Sequence, residues 1–390
     1  MVYGTREIFF LPTGGERDSA GSEGEHGEEN KGFWRHNRFD SIHKDSRFGA
    51  MIETALRAYL PDIEHFSLVP IGSGLIHRTW KVETDSGKAY ILQEVNTEVF
   101  TNPVAIADNL DKIGRWLAEH EPQYRFAAPL RTAEGSAFYR DVGGGYLRMF
   151  PYVAGSRTFD VVVNPEQAFE ASRQFGLFTR MLRDFDVTQL QETLSHFHDL
   201  ALRYEQFDRA VVSGESSRVR DSTGLISFLQ GQRGLVDVYV GLKADPGFRL
   251  RVTHHDTKIS NVLFDDRDRG LCVIDLDTVM PGYFISDVGD MIRTYVSPAS
   301  EEEVDLSAVV VRREFYEAIY EGYMREMADV LNGAERERFG YSGLFMVYMQ
   351  ALRFLTDHLN GDVYYGARYP GHNYNRAANQ VALLMRLMEL

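Results

Sequence analysis

From Ala50 onward apolar residues recur at the three-and-four spacing of one helix face, through Ile52, Ala55, Leu56 and Tyr59, and Pro61 closes the pattern. The period then changes. Phe66 to Ile71, Thr79 to Thr84 and Ala89 to Val95 read as strands, with Asp85, Ser86 and Gly87 as the turn between the last two. A second helix is predicted after Pro103 on Ile106, Leu110, Ile113 and Leu117. Two more strands are predicted, over Ser136 to Arg140 and Tyr146 to Tyr152, around Gly143, Gly144 and Gly145. From Glu166 onward long helical patterns dominate, such as Phe169, Phe175, Phe178, Met181 and Leu182, then Phe315, Ile319, Tyr320 and Tyr323. Strands gathered ahead of helices predict an α+β protein with two segregated lobes. No internal repeat is evident.

Between Thr13 and Gly32 the chain is dominated by Gly, Ser and Glu, which leaves little to bury and predicts disorder. The expected division is a loosely attached tail over 1–47, a first lobe over 48–149 and a second over 150–390. Met51, at the start of the first helix pattern, is a candidate physiological start, which would make the upstream segment an optional tail. The 44% apolar and 12% aromatic content is ample for cores in a chain of 390 residues. A formal net charge of -15 disfavours nucleic acid and anionic membranes as partners, since both require a positive footprint. The single cysteine, Cys272, excludes an intramolecular disulfide and fits a reducing, cytoplasmic setting. Neither a membrane-spanning apolar run nor the features of a secretory signal is read in the sequence.

The segment that carries chemistry is His254, His255, Asp256, Thr257, Lys258, Ile259, Ser260, Asn261, followed by a short strand to Phe264, an acidic turn, and a strand Leu271 to Ile274 that delivers Asp275. Phosphoryl transfer needs an acceptor for the substrate hydroxyl proton and oxygen ligands that hold magnesium across the phosphates. The spacing H-x-D-x-x-x-x-N supplies the first with Asp256 and, with Asp275, the second through Asn261. The bland alternative is that Asp256 and Asn261 cap a turn and Asp275 ends a strand. Asp265, Asp266 and Asp268 read as the solvated tip of a hairpin. Upstream, Gly72, Ser73 and Gly74 fall between two strands, where small residues let backbone amides approach phosphate oxygens. The strand Tyr90, Ile91, Leu92, Gln93 presents Gln93 where a phosphate-pairing lysine is normally found. Lys258 is a candidate for the missing positive charge near the transferred group.

With these residues in hand, the sequence resembles the phosphotransferase family of aminoglycoside and choline kinases, and more closely the N-acetylhexosamine 1-kinases. The resemblance is carried by HHDTKISNVLFD, CVIDLDTVMPG, SDVGDMIRT and YPGHNYNRA, with FGLFTRML and FHDLALRYEQF between them, and spans roughly Leu68 to the C-terminus. It implies a protein-kinase-like fold with a small antiparallel-sheet lobe, a larger helical lobe and an ATP site between them. Gly72, Ser73 and Gly74 would cover the phosphates and Met149 to Val153, including Phe150 and Tyr152, would face adenine, with Gln93 nearby. Asp256 would be the base, and Asn261 and Asp275 would hold Mg2+, with Asp277 as helper. The implied reaction phosphorylates the anomeric hydroxyl of an N-acetylhexosamine.

Sugar recognition needs hydrogen-bond forks and aromatic faces, and Asp290, Arg293, Arg353, Tyr369, His372 and Asn373 supply them in the similar segments. Arg293 has an equal alternative as a structural ion pair with Asp290, three residues away on a helix. Asp287 reads as a buried support for the catalytic loop, and His255 as a packed residue within it. The chain between Asp277 and Ser286 is too short for a phosphorylatable activation segment, and no Ala-Pro-Glu follows, so neither a protein substrate nor a protein partner is implied. Paired carboxylates two residues apart, such as Asp275 and Asp277, make a poor glycosidase. The competing readings are a same-fold kinase of another small alcohol (another hexose, an amino alcohol or an aminoglycoside) and a catalytically silent nucleotide-binding module.

Overall fold

The computed structural model describes residues 46–71 and 76–390. Almost all of the expected tail lies outside the described residues, as do Gly72, Ser73 and Gly74. The protein has a kinase-like α+β fold of two compact units. The smaller holds the described residues up to Asn96 together with Pro129–Tyr152, and the larger holds Thr97–Ala128 and Val153–Leu390.

In the smaller unit helix α1 (Ser46–Tyr59) precedes strands β1 (Phe66–Pro70), β2 (Arg78–Thr84), β3 (Ala89–Val95), β4 (Tyr139–Arg140) and β5 (Tyr146–Pro151). The strands form one antiparallel sheet in the order β1-β2-β3-β5-β4. Side chains alternate between sheet faces, so residues directly opposite one another share a face. Trp80, Leu92 and Met149 form one such row, and Thr79, Gln93 and Arg148 form the next. The first row joins Val82 and Leu147 in a core with Ile52, Ala55, Leu56 and Tyr59 of α1. The buried Tyr59 hydroxyl donates to Leu147 O at 2.8 Å and accepts from Tyr139 N at 3.0 Å, which ties helix to sheet. Helix α1 begins at Ser46, earlier than the apolar pattern suggests. Strand β4 is shorter than predicted because Ser136 is drawn into a turn: Thr132 N donates to Ser136 O at 2.8 Å and Ser136 Oγ donates to Phe138 O at 2.7 Å.

The larger unit contains α2 (Pro103–His120), α3 (Pro165–Met181), α4 (Leu200–Ser213), α5 (Ser216–Asp221), α6 (Thr223–Gly231) and α7 (Gly234–Ala244). These are followed by strands β6 (Arg251–Thr253), β7 (Val262–Phe264), β8 (Gly270–Val273) and β9 (Met280–Gly282). Helices α8 (Phe284–Tyr295), α9 (Arg313–Met327), α10 (Gly333–Glu337), α11 (Phe339–Leu359) and α12 (His372–Leu387) complete it. Helix α2 lies in sequence between two strands of the smaller unit's sheet, yet it groups with the larger unit. Its buried Asn109 donates to Gln191 O at 2.9 Å and Val279 O at 3.2 Å, bonds that satisfy backbone groups elsewhere in that unit.

Two features of the larger unit set the position of the site. Helices α8 and α11 cross at glycines: a Cβ on Gly289 would lie 2.4 Å from Ser342 O, and one on Gly343 would lie 2.7 Å from Ile292 Cγ2. This explains the glycine inside the Ser-Asp-Val-Gly-Asp segment, because any larger residue would push α8 off its neighbour. Strand β6 is anchored by a buried bidentate pair, Arg251 Nη1 and Nη2 donating to Glu335 Oε1 and Oε2 at 2.6 and 2.9 Å. Among the described residues no helix is long and apolar enough to cross a membrane.

Candidate active site

The candidate catalytic segment leaves β6 at Thr253, runs through a 3-10 turn over Ile259–Asn261 and enters the β7–β8 hairpin, which returns the chain to Asp275. A second 3-10 turn over Leu276–Thr278 leads into β9, which pairs antiparallel with β6. Asp256, Asn261, Asp275 and Asp277 are thereby gathered at one end of two small two-stranded sheets. Asp275 adopts a left-handed backbone with φ 58 and ψ 61, and His255 does so with φ 69, both uncommon for residues with a Cβ. The Asp265–Gly270 turn is a hairpin tip, where Asp265 accepts from Arg267 N and Arg269 N at 2.9 Å each.

Helix α8 holds the loop by its backbone. Asp287 accepts from His255 N at 2.7 Å and from His254 N at 3.1 Å, while Asp290 accepts from Thr257 N at 2.8 Å. Thr257 Oγ1 donates back to Asp287 O at 2.8 Å. Asp287 is therefore the buried support read from the sequence. Asn261 closes the loop on itself, with Nδ2 donating to Asp256 O and to Asp256 Oδ2 at 2.9 Å each. This turns the Asn261 amide oxygen away from Asp256.

The histidines are fixed structural parts. His254 Nε2 lies 2.9 Å from Ile274 O, a donor geometry that leaves Nδ1 to accept from Asp256 N. Burial lowers its pKa to about 4, so the ring is neutral. His255 is likewise lowered to about 3 by burial, and its Nδ1 lies 2.8 Å from Ser286 Oγ. Ser286 also meets His198 Nδ1, giving a His–Ser–His row beside the loop in which His255 and Ser286 are buried. A Cβ on Gly282 would fall 2.4 Å from the His255 ring, so this glycine makes room for it.

Burial pushes the Asp256 carboxyl up to about 7, against the pull of Lys258, whose Nζ stands 3.7 Å from Oδ1. The carboxylates of Asp290 and Asp275 push in the same direction as burial. Burial lowers the Lys258 pKa in turn, while Asp256 opposes that shift. The result is a desolvated carboxylate with an amide and an ammonium beside it, a combination suited to taking a proton.

The other residues singled out in the sequence fall in distinct places. Asp277 is 2% exposed, and its carbonyl accepts from Thr193 Oγ1 at 2.9 Å, whereas Asp275 is exposed. Arg293 forms the ion pair with Asp290 at 2.9 Å and extends it to Glu301 at 2.9 Å. Burial works against its charge, yet these two carboxylates keep its pKa raised. Glu301 goes on to Arg376, and Arg376 to Glu302 at 3.3 Å, which meets His372 at 2.5 Å. Arg353 Nη2 donates to Tyr364 Oη at 3.4 Å, and its Cζ lies 5.6 Å from the Tyr365 ring centre. Asn373 is buried against Asp357 and Asp362, and Tyr369 is half-exposed with its ring 4.8 Å from that of His372. In the smaller unit Gln93, Phe150 and Tyr152 lie on or beside the sheet face opposite α1. Ser286, His198, Glu301, Arg376 and Arg148 were not identified as site residues from the sequence. Arg148 alone carried a signal, as a lone cation in the apolar strand Tyr146 to Pro151.

The model of the phosphotransferase enzyme family matches residues 67–323, well over half of the chain. The chain belongs to that family. Solved structures agree at the level of fold. An aminoglycoside phosphotransferase from Alicyclobacillus acidocaldarius superposes with a TM-score of 0.56 at 13% identity, covering 87% of this chain and 96% of that one. An amicoumacin kinase in complex with AMP-PNP, Ca2+ and Ami gives 0.54 at 16% identity, with 89% and 93% covered. An ethanolamine kinase from Plasmodium vivax gives 0.53 at 12% identity, with 86% and 87% covered. In this phosphotransferase the loop built around Asp256 thus stands on a kinase-like frame.

Proposed function

We propose that this phosphotransferase transfers the γ-phosphoryl group of ATP to the anomeric hydroxyl of an N-acetylhexosamine, giving a sugar 1-phosphate and ADP. The observation that carries the reading is the buried Asp256, held by Asn261 and flanked by Lys258. Asp256 takes the hydroxyl proton as the sugar oxygen attacks the γ-phosphorus in line. The new O–P bond forms as the bond to the β,γ-bridging oxygen breaks, and ADP leaves with that electron pair. Lys258 offsets charge that builds on the phosphoryl oxygens. Most of the rate enhancement comes from positioning and charge.

Magnesium fits the donor set of Asn261 and Asp275, with Asp277 as helper, because the Asn261 amide oxygen is turned away from Asp256 and carboxylates are hard ligands. When bound, the ion neutralises phosphate charge and orients the triphosphate. The smaller unit contributes Gly72, Ser73, Gly74, Gln93, Phe150 and Tyr152 to nucleotide binding. Asp290 and Arg293 act on the acceptor by holding the loop, and Arg353 and Tyr369 present a guanidinium and an aromatic face to the sugar.

The named neighbours include an aminoglycoside phosphotransferase, an amicoumacin kinase and an ethanolamine kinase, so another small alcohol is the second reading. Arg293 and Arg376 pair with Asp290, Glu301 and Glu302, so much of the negative charge of this cluster is already offset, which lessens its pull on a polycation and favours the sugar reading. ADP release measured across N-acetylglucosamine, N-acetylgalactosamine, plain hexoses and amino alcohols tests this. Turnover confined to an amino alcohol would overturn the substrate and keep the reaction class.

A further inference from the structure

The His198–Ser286–His255 row ends on a ring nitrogen that the proposed transfer does not use. The chain fixes His198 by its backbone as well as its ring. His196 takes a left-handed backbone with φ 57, and the carbonyls around it are tied down: Arg203 Nη2 donates to His196 O at 3.0 Å and Tyr239 Oη to His198 O at 3.2 Å. The His198 ring stacks on Phe197 with centroids 4.2 Å apart, and it lies 5.4 Å from the ring of His255, the residue before Asp256. Its Nδ1 meets Ser286 Oγ, whereas Nε2 has no hydrogen-bond partner among the described residues, and the residue is only half-buried. Burial, joined by the charges of His255, Arg353, Arg203 and Arg293, holds its pKa well below the ordinary 6.5, so the ring is neutral. The charge of Arg293 also acts on Asp256, and Arg353 is one of the residues proposed to meet the sugar.

The row has a direction. The Nε2 edge of the His255 ring faces β9 at Gly282, where the carbonyls of Pro281 and Met280 favour an N–H. His255 Nδ1 then accepts from the Ser286 hydroxyl, the Ser286 oxygen accepts from His198 Nδ1–H, and His198 Nε2 is left with its lone pair. We infer that His198 Nε2 accepts a hydrogen bond from a neutral O–H or N–H of the acceptor sugar, which makes His198 a specificity-determining residue. The inference rests on the proposed sugar kinase reading. Support of His255 uses Nδ1 alone. A ring already fixed by its backbone, by Phe197 and by Ser286 is a preorganised acceptor that loses little freedom when a ligand binds. An ammonium is a poor occupant, because the guanidinium charges that oppose a proton on the ring also oppose a cation beside it.

The test is steady-state kinetics of the full chain with ATP and Mg2+, varying N-acetylglucosamine, N-acetylgalactosamine and galactose in turn, for wild type, His198→Asn and His198→Gln. An asparagine amide reaches the place of Nδ1 and keeps the Ser286 bond, whereas a glutamine amide reaches the place of Nε2 and gives that bond up. The expected result is a rise of about 10- to 100-fold in the acceptor KM of His198→Asn, the size of a partner left unpaired, with the KM for ATP unchanged. His198→Gln recovers most of that loss. A role confined to supporting His255 through Ser286 predicts the reverse order, with glutamine the worse of the two and kcat falling rather than KM rising. If His198→Asn melts early, nitrogen-15 NMR of the histidine rings in wild type gives a second reading, in which sugar binding shifts one Nε2 resonance and leaves its Nδ1 partner in place. Unchanged acceptor KM in folded His198→Asn, a greater loss in His198→Gln, or no Nε2 shift on sugar binding overturns the inference. Turnover confined to galactose overturns the N-acetylhexosamine reading instead, and the order of the two variants on galactose then decides the inference.

Discussion

The loop around Asp256 and the Thr79–Gln93–Arg148 row of the smaller sheet hold their polar side chains in place by opposite routes. The loop concentrates its chemistry in one run of chain, Asp256 to Asn261, and borrows backbone support from Asp287 and Asp290 of a single helix. The row Thr79, Gln93, Arg148 takes one residue from each of three strands and exists only once the strands are in register. A contiguous loop keeps its geometry through local hydrogen bonds. A cross-strand row depends on every strand, and a shift of one residue would turn its side chains to the opposite face.

The comparison can be broken hardest at the loop. Asp256→Asn keeps the shape and the Asn261 contact but removes the base. Its kcat should fall about 10²- to 10⁴-fold with ADP affinity intact. Lys258→Ala should lower kcat about 10²- to 10³-fold if its charge meets the transition state, and unchanged turnover would end that role. Asp287→Ala should act on stability first, because two buried N–H groups lose their acceptor. About 2–5 kcal/mol is expected, read by urea unfolding. Gly289→Ala should cost about 1–3 kcal/mol, since the new methyl meets a backbone oxygen of α11 that cannot swing aside.

The smallest effect is on pH. Burial lowers His255 to about 3 and His254 to about 4 from an ordinary 6.5. Below 6.5 each of these histidines alone makes stability fall as pH drops, because the unfolded chain binds its proton and the folded one does not, while Asp256 and Asp287, both raised to about 7 by burial, contribute in the opposite sense. His255→Asn, which suits a left-handed backbone, should remove one histidine contribution, so its melting temperature should fall less, or rise more, than that of wild type on acidification over that window. An unchanged slope would remove His255 from the account.

What the sequence made legible follows the same division. The strand and helix periods predicted the five-stranded sheet and the helical remainder, and the H-x-D-x-x-x-x-N spacing located the loop because its members are neighbours in sequence. Arg293 was open between a sugar ligand and an ion pair. Its pairing with Asp290 was visible at helical spacing, but the Glu301 contact was not. Arg376 reaches Glu301 across 75 positions and His198 reaches Ser286 across 88, distances at which no periodicity speaks. The Arg148–Gln93 bond needed a register, and Gln93 alone read as a loss of charge.

The central claim is that Asp256 is the base of a magnesium-dependent phosphoryl transfer to a sugar. Phosphorus NMR of ATP and N-acetylglucosamine or N-acetylgalactosamine with Mg2+ and either wild type or Asp256→Asn tests it most directly. The account predicts an anomeric sugar phosphate and ADP from wild type, with neither formed at a comparable rate by the variant that still binds ADP. A variant that makes the same product at the wild-type rate would contradict it.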